Sequence, residues 1–103
     1  MQFENYTDRA RGFVQSAQSI ALRDRHQQFT PEHLLKALLD DREGLAANLI
    51  RAAGGRPDQA LAATEATLAK LPKVEGSSGQ LYMAPATARV FAAAEDLAAA
   101  RAA

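Results

Sequence analysis

The sequence has no cysteine and no tryptophan among its 103 residues. A disulfide framework, a thiolate nucleophile and a cysteine-rich zinc site are therefore all closed to it. Charge of one sign is also missing, because 12 Lys and Arg stand against 12 Asp and Glu scattered along the chain. With no basic face to neutralise a phosphate backbone, no nucleic-acid partner is expected. Long apolar runs are absent too, each being broken by Arg, Asp or Glu after a few residues. The opening Met1-Gln2-Phe3-Glu4-Asn5 has neither a basic head nor an apolar signal core. The expectation is a soluble, cytoplasmic protein without a membrane partner, held together by packing alone.

Alanine is what the chain has in quantity: of the 48% hydrophobic residues, 24 are alanine and only 25 are larger. Alanine favours helix, but each one buries little area at about 25 cal/mol per Å². The composition predicts an all-α protein of modest stability.

Helix starts and stops can be placed one after another. Thr7 is an N-cap, and Phe13, Ala17, Ile20 and Ala21 recur at helical spacing to about Asp24. Thr30 caps a second helix with Pro31 at its first position, Phe29 stapling on Leu34, and Leu34, Leu35, Leu38 and Leu39 as its buried stripe. After Asp40-Asp41-Arg42-Glu43-Gly44, a short third helix carries Leu45, Leu49, Ile50 and Ala53 and closes on Gly54-Gly55 as a left-handed C-cap. Pro57 starts a fourth, faced by Leu61, Ala62, Leu68, Ala69 and Leu71 and stopped by Pro72. No strand pattern is visible. Phe13, Leu34, Leu38 and Leu49 are expected to be buried together.

Residues 73–82 read as a linker, with Gly76-Ser77-Ser78-Gly79 at its centre. A fifth helix follows, with Pro85 at its first position and Val90, Phe91, Ala94, Leu97 and Ala98 as its buried side. It repeats the first. Residues 13–21 align without a gap on residues 90–98 at a constant offset of 77, which carries Tyr6 onto Met83 and Thr7 onto Ala84. The organisation this predicts is a complete four-helix unit over 1–72, a linker over 73–82, and the first helix of a second, incomplete unit over 83–103. On this reading the first four helices fold without the fifth.

Tyr6-Thr7-Asp8-Arg9-Ala10, Phe29-Thr30-Pro31-Glu32-His33-Leu34-Leu35-Lys36-Ala37-Leu38-Leu39 and Leu71-Pro72-Lys73-Val74-Glu75-Gly76 resemble the amino-terminal domain of the bacterial Clp ATPase chaperones. The last of these segments is similar to the disaggregase branch of that family. The resemblance implies a helical domain of paired four-helix repeats, here cut after the first helix of the second. It also implies a parent chain whose ATPase modules use ATP and Mg and assemble as a ring oligomer. The domain's part is implied to be substrate recognition, with unfolded or aggregated protein held in an apolar groove between the fifth and first helices. Phe91, Ala93 and Leu97 would line that groove and Thr7 would stand at its rim. Ala84 departs from the polar cap the family places there, which weakens the expected start of the fifth helix. In a related Clp protein that serves a protease, the acidic residue matching Glu32 helps recognise phosphorylated arginine, although a first-turn carboxylate also stabilises its helix through the dipole.

The residues themselves offer little catalysis. His26 and His33, with Glu32, Asp40 and Asp41, lack the spacing of a metal or acid–base site and lie on opposite sides of a helix start. His33 instead falls beside the Thr30 cap, where it can hydrogen-bond locally. No serine has a histidine near it in sequence. The chain is therefore expected to be a noncatalytic binding module without metal or cofactor. A stand-alone adaptor or scaffold for a folded partner is the other reading. None of the 6 glycines precedes a lysine, so no phosphate-cradling loop exists. Isothermal titration of the chain with Mg-ATP should give no saturable signal.

Overall fold

Thr7 heads the first helix as expected, its Oγ1 accepting the amide of Ala10 at 3.1 Å. A computed structural model describes residues 6–74 and 81–102. In chain order these form α1 (Asp8–Arg23), β1 (Gln28–Phe29), α2 (Pro31–Asp40), α3 (Leu45–Ala52), α4 (Pro57–Ala69), β2 (Tyr82–Met83) and α5 (Pro85–Ala102). The fold is helical, and α5 begins 77 residues after α1, at the offset of the sequence repeat.

Two helices end in the same way. Gly54, at φ 88°, turns the chain out of α3, while the amides of Gly55 and Gly54 return to the carbonyls of Ile50 and Arg51 at 2.8 and 3.0 Å. After α1 the amides of His26 and Arg25 return to Ala21 and Leu22 at 2.9 and 3.0 Å. Here the left-handed position belongs to Arg25, at φ 61°. A side chain in that region costs roughly 1–2 kcal/mol. The turn it makes has two uses, since it places the Arg25 carbonyl to accept the Val74 amide at 2.9 Å and aims His26 inward.

Contrary to the strand-free reading, β1 and β2 pair in parallel, with Gln28 opposite Tyr82 and Phe29 opposite Met83. The Tyr82 amide donates to Gln27 O at 2.9 Å and the Ala84 amide to Phe29 O at 3.1 Å. Segments of 2 residues are too short for alternation to show in a sequence. This pairing also anchors the start of α5, because the Ala84 amide is bonded to Phe29 O while the Ala84 carbonyl accepts the Thr87 amide at 2.9 Å. Residues 73–74, read as the start of a linker, are docked: Lys73 forms an antiparallel bridge with His26. Gly76-Ser77-Ser78-Gly79 lies outside the described residues.

Val14, Ala17, Ile20, Phe29, Ala37 and Phe91 form one core cluster, with Tyr6, Phe13, Leu34 and Leu81 packed on its margin. Three expectations are corrected by it. Leu49 is 60% exposed and takes no part, because α3 turns Ala47 inward instead. On α5 the buried side is Thr87 and Phe91, whereas Val90 and Leu97 face solvent at 44% and 67% exposure. The first four helices are not complete without the fifth, since Phe91 sits among residues of α1, β1 and α2. Its ring lies 6.3 Å from that of Phe29. Phe91→Ala should therefore lower the stability of the whole chain by about 3–5 kcal/mol. A single urea transition monitored by circular dichroism, shifted to lower denaturant, is the expected result; an early loss of α5 followed by an unshifted melt of the rest would oppose it.

Candidate functional site

The first turn of α1 and the second half of α5 border a groove of about 670 Å³, lined by Tyr6, Thr7 and Ala10 on one side and Ala94, Glu95, Ala98 and Ala99 on the other. Small side chains on both walls leave a shallow trough between the two helices. Its surface is mostly apolar, and Glu95 supplies the one charged group among the lining residues. The Tyr6 hydroxyl has its pKa raised, first by burial and then by the Glu95 carboxylate. Tyr6 joins the groove to the core, because its ring packs 6.2 Å from that of Phe91 at an interplanar angle of 56°.

Of the residues expected here, Thr7 lines the groove and also caps α1. Phe91, Ala93 and Leu97 do not line it. Phe91 is only 4% exposed and lies behind Tyr6 in the core, while Ala93 and Leu97 are exposed but stand outside the lining. The difference is one of helical phase: Ala94 and Ala98 occupy the positions next to Ala93 and Leu97, about 100° further round the helix. A helix with alanine on every side carries almost no apolar periodicity from which to set that phase. Glu32 is half-buried and is not among the residues lining the groove.

A second cleft, of about 380 Å³, opens on the other flank of α1 and shares Thr7 and Ala10 with the first. Phe13, Leu38, Leu45 and Leu49 give it an apolar wall. Arg9 covers one edge, its guanidinium 5.8 Å from the Phe13 ring centroid and 3.5 Å from the Asp41 carboxylate. The half-buried Leu38 and exposed Leu49, expected in the core, are cleft residues.

At the opposite end of α1 the two histidines, which lie on either side of the α2 start as expected, nevertheless meet. His33 behaves locally as anticipated, accepting the Thr30 amide on Nδ1 at 2.9 Å. Its Nε2 lies 2.9 Å from Nδ1 of His26. Both rings are buried, at 0% and 4% exposure. Burial pushes the His33 pKa down to about 4, and the neighbouring His26 adds to this, opposed by Asp24. Among the described residues no group of three or more His, Asp or Glu side chains could hold a metal ion. No described helix is long and apolar enough to cross a membrane.

Residues 5–103 match the family model of the Clp repeat (R) N-terminal domain. The chain is 62% identical over 96 residues to a protein named chaperone protein ClpB of Rhodopseudomonas palustris, covering 92% of this chain and 11% of that protein. Identity is 57% over 98 residues to the ClpB of Rhizobium meliloti, covering 95% of this chain and 11% of that protein. It falls to 34% over 98 residues for that of Meiothermus ruber, covering 95% of this chain and 12% of that protein. The chain thus spans about one-ninth of the length of the first two relatives.

His33 gives the stability of the fold a pH signature. A folded-state pKa of about 4 against 6.5 in the unfolded chain means that the unfolded state binds more protons between those values. The stabilisation is fully present above pH ~6.5 and is lost as pH falls toward ~4, on the order of 3 kcal/mol in all. Urea midpoints measured across this range should fall with acidification in the wild type. In His33→Gln, which cannot charge, they should fall less.

Proposed function

Since this chain belongs to the Clp repeat (R) N-terminal domain family, we propose that it is a substrate-recognition module of a ClpB-type protein disaggregase. It captures unfolded or aggregated polypeptide in the groove between α1 and α5. The parent chain supplies the ATPase modules, uses ATP and Mg, assembles as a ring and works in the cytoplasm; the domain itself contributes contact and no catalysis. The groove is the observation that carries this reading. An apolar trough of about 670 Å³ with alanine walls accepts extended apolar side chains of many shapes, because it offers close contact without a shaped pocket. Thr7 at its rim is occupied as a helix cap, so its contribution to binding is mainly through the position of the α1 backbone. Glu95 biases the groove toward segments in which Lys or Arg flanks the apolar residues.

Ala94 and Ala98 are exposed and line the trough, so a carboxylate there obstructs it without entering the core. Ala94→Asp and Ala98→Asp are expected to weaken binding of a permanently unfolded model protein about tenfold, or ~1.4 kcal/mol. Leu97→Asp, on the exposed outer face, should leave binding unchanged. Fluorescence anisotropy measures the affinities, and circular dichroism confirms that α5 persists. Loss of binding in Leu97→Asp with none in the two alanine variants would overturn the groove assignment. Retained binding to a folded partner alone would favour the adaptor reading.

A further inference from the structure

The hydrogen bonds around the paired histidines leave a directed donor that the groove does not use. A backbone amide can only donate, so His33 Nδ1, which takes the Thr30 amide, carries no proton. The neutral ring must then carry its proton on Nε2 and donate it to His26 Nδ1 at 2.9 Å. His26 in turn keeps its own proton on Nε2. That N–H is buried, on a side chain only 4% exposed, and has no partner among the described residues. Its direction is set, since the bond from Nδ1 turns Nε2 to the far side of the ring from His33.

His26 forms part of the wall of a cavity of about 310 Å³ at the junction of α1, α2 and α4, lined also by Arg23, Asp24, Lys36, Glu65, Leu68, Ala69 and Lys73. Two of its cations are matched: Arg23 lies 3.6 Å from Asp24, and Lys36 bonds Glu65 at 3.0 Å and Asp40 at 3.2 Å. Lys73 forms no ion pair among the described residues. The lining cations Arg23 and Lys36 are thus matched by Asp24, Glu65 and Asp40, which leaves Lys73 as the lining cation without an ion pair, together with a buried N–H that lacks an acceptor. A smaller cleft that His26 also lines, with Gln27, Gln28, Thr30, Leu71 and Pro72, brings no other charged group.

We propose that this cavity is a binding site for a small oxyanion, a phosphoryl or carboxylate group, whose oxygen accepts the His26 Nε2–H while Lys73 supplies the countercharge. The ligand chemistry follows from the donor set. A cation would face a donor hydrogen and an unmatched ammonium, and an apolar molecule would leave both unsatisfied. The site stands apart from the client groove, at the other end of a helix about 24 Å long. Occupancy would tie α1, α2 and the Lys73 segment together, so the anion stabilises the folded chain in proportion to its binding.

The test follows the imidazole N–H signals of the 103-residue chain by NMR during titration with inorganic phosphate, with sodium acetate and sodium chloride at matched ionic strength as parallel arms. The expected result is a saturable shift of the His26 Nε2–H resonance with phosphate or acetate and none with chloride, the stronger of the two identifying the anion class. Lys73→Ala leaves the buried rings in place and should weaken that response at least fivefold with the melting temperature of the free protein unchanged. His26→Gln should abolish the ligand-induced rise in melting temperature. An equal response to chloride, no saturable response, or unchanged affinity in Lys73→Ala would each overturn the proposal and leave water as the acceptor.

Discussion

The carbonyl oxygen of Phe29 ties the first helices to the start of α5. It accepts the Ala84 amide at 3.1 Å and the Thr87 hydroxyl at 2.6 Å, so both of its lone pairs are directed at the start of α5. The ring of the same residue is buried against Phe91, and the next residue, Thr30, heads α2. Thr87 is wholly buried, and a hydroxyl in that position without an acceptor would cost about 1–3 kcal/mol. One residue therefore holds β1, α2 and α5 in a single arrangement. The groove depends on it, because α5 is clamped at its first turns and its second half is carried past Tyr6 and Ala10 as a consequence.

Alanine has two roles in that arrangement. In the core, Ala17, Ala21 and Ala47 are fully buried and allow the helices to approach. On the second half of α5, Ala94, Ala98 and Ala99 form the wall of an open trough. The larger residues beneath are less adaptable. Phe91 bears on the groove only through Tyr6, as a positioning residue whose loss would change the groove by changing the core.

Where local chemistry determines structure, the sequence could be read directly. Thr7, Thr30 with Pro31, Pro57, Pro85 and Gly54 announce helix boundaries through their own dihedral angles and hydrogen bonds, and the helices begin and end beside them. His33 was legible for the same reason, its partner being three residues away. What could not be read depends on distant partners. Thr87 belongs to the core because of an acceptor 58 residues away. The two strands exist because each completes the other, and His26 reaches His33 only through the left-handed turn at Arg25, where a glycine would have been the usual signal. The region of the groove was legible from the resemblance and from the richness of α5 in alanine. Its lining was not, since the helix has no strong apolar stripe to show which alanines turn toward α1.

The parallel pairing of β1 with β2 also sets an order of assembly. Contacts between α1 and α2 and between α2 and α4 close shorter loops, whereas Gln28 and Tyr82 are 54 positions apart. Closing the longer loop costs more chain entropy, and contacts of high sequence separation form late. During synthesis the first helices leave the ribosome before α5 exists. Until it arrives, Val14, Ile20 and Phe29 lack the ring that covers them, and the nascent domain presents the kind of apolar surface that its proposed clients carry.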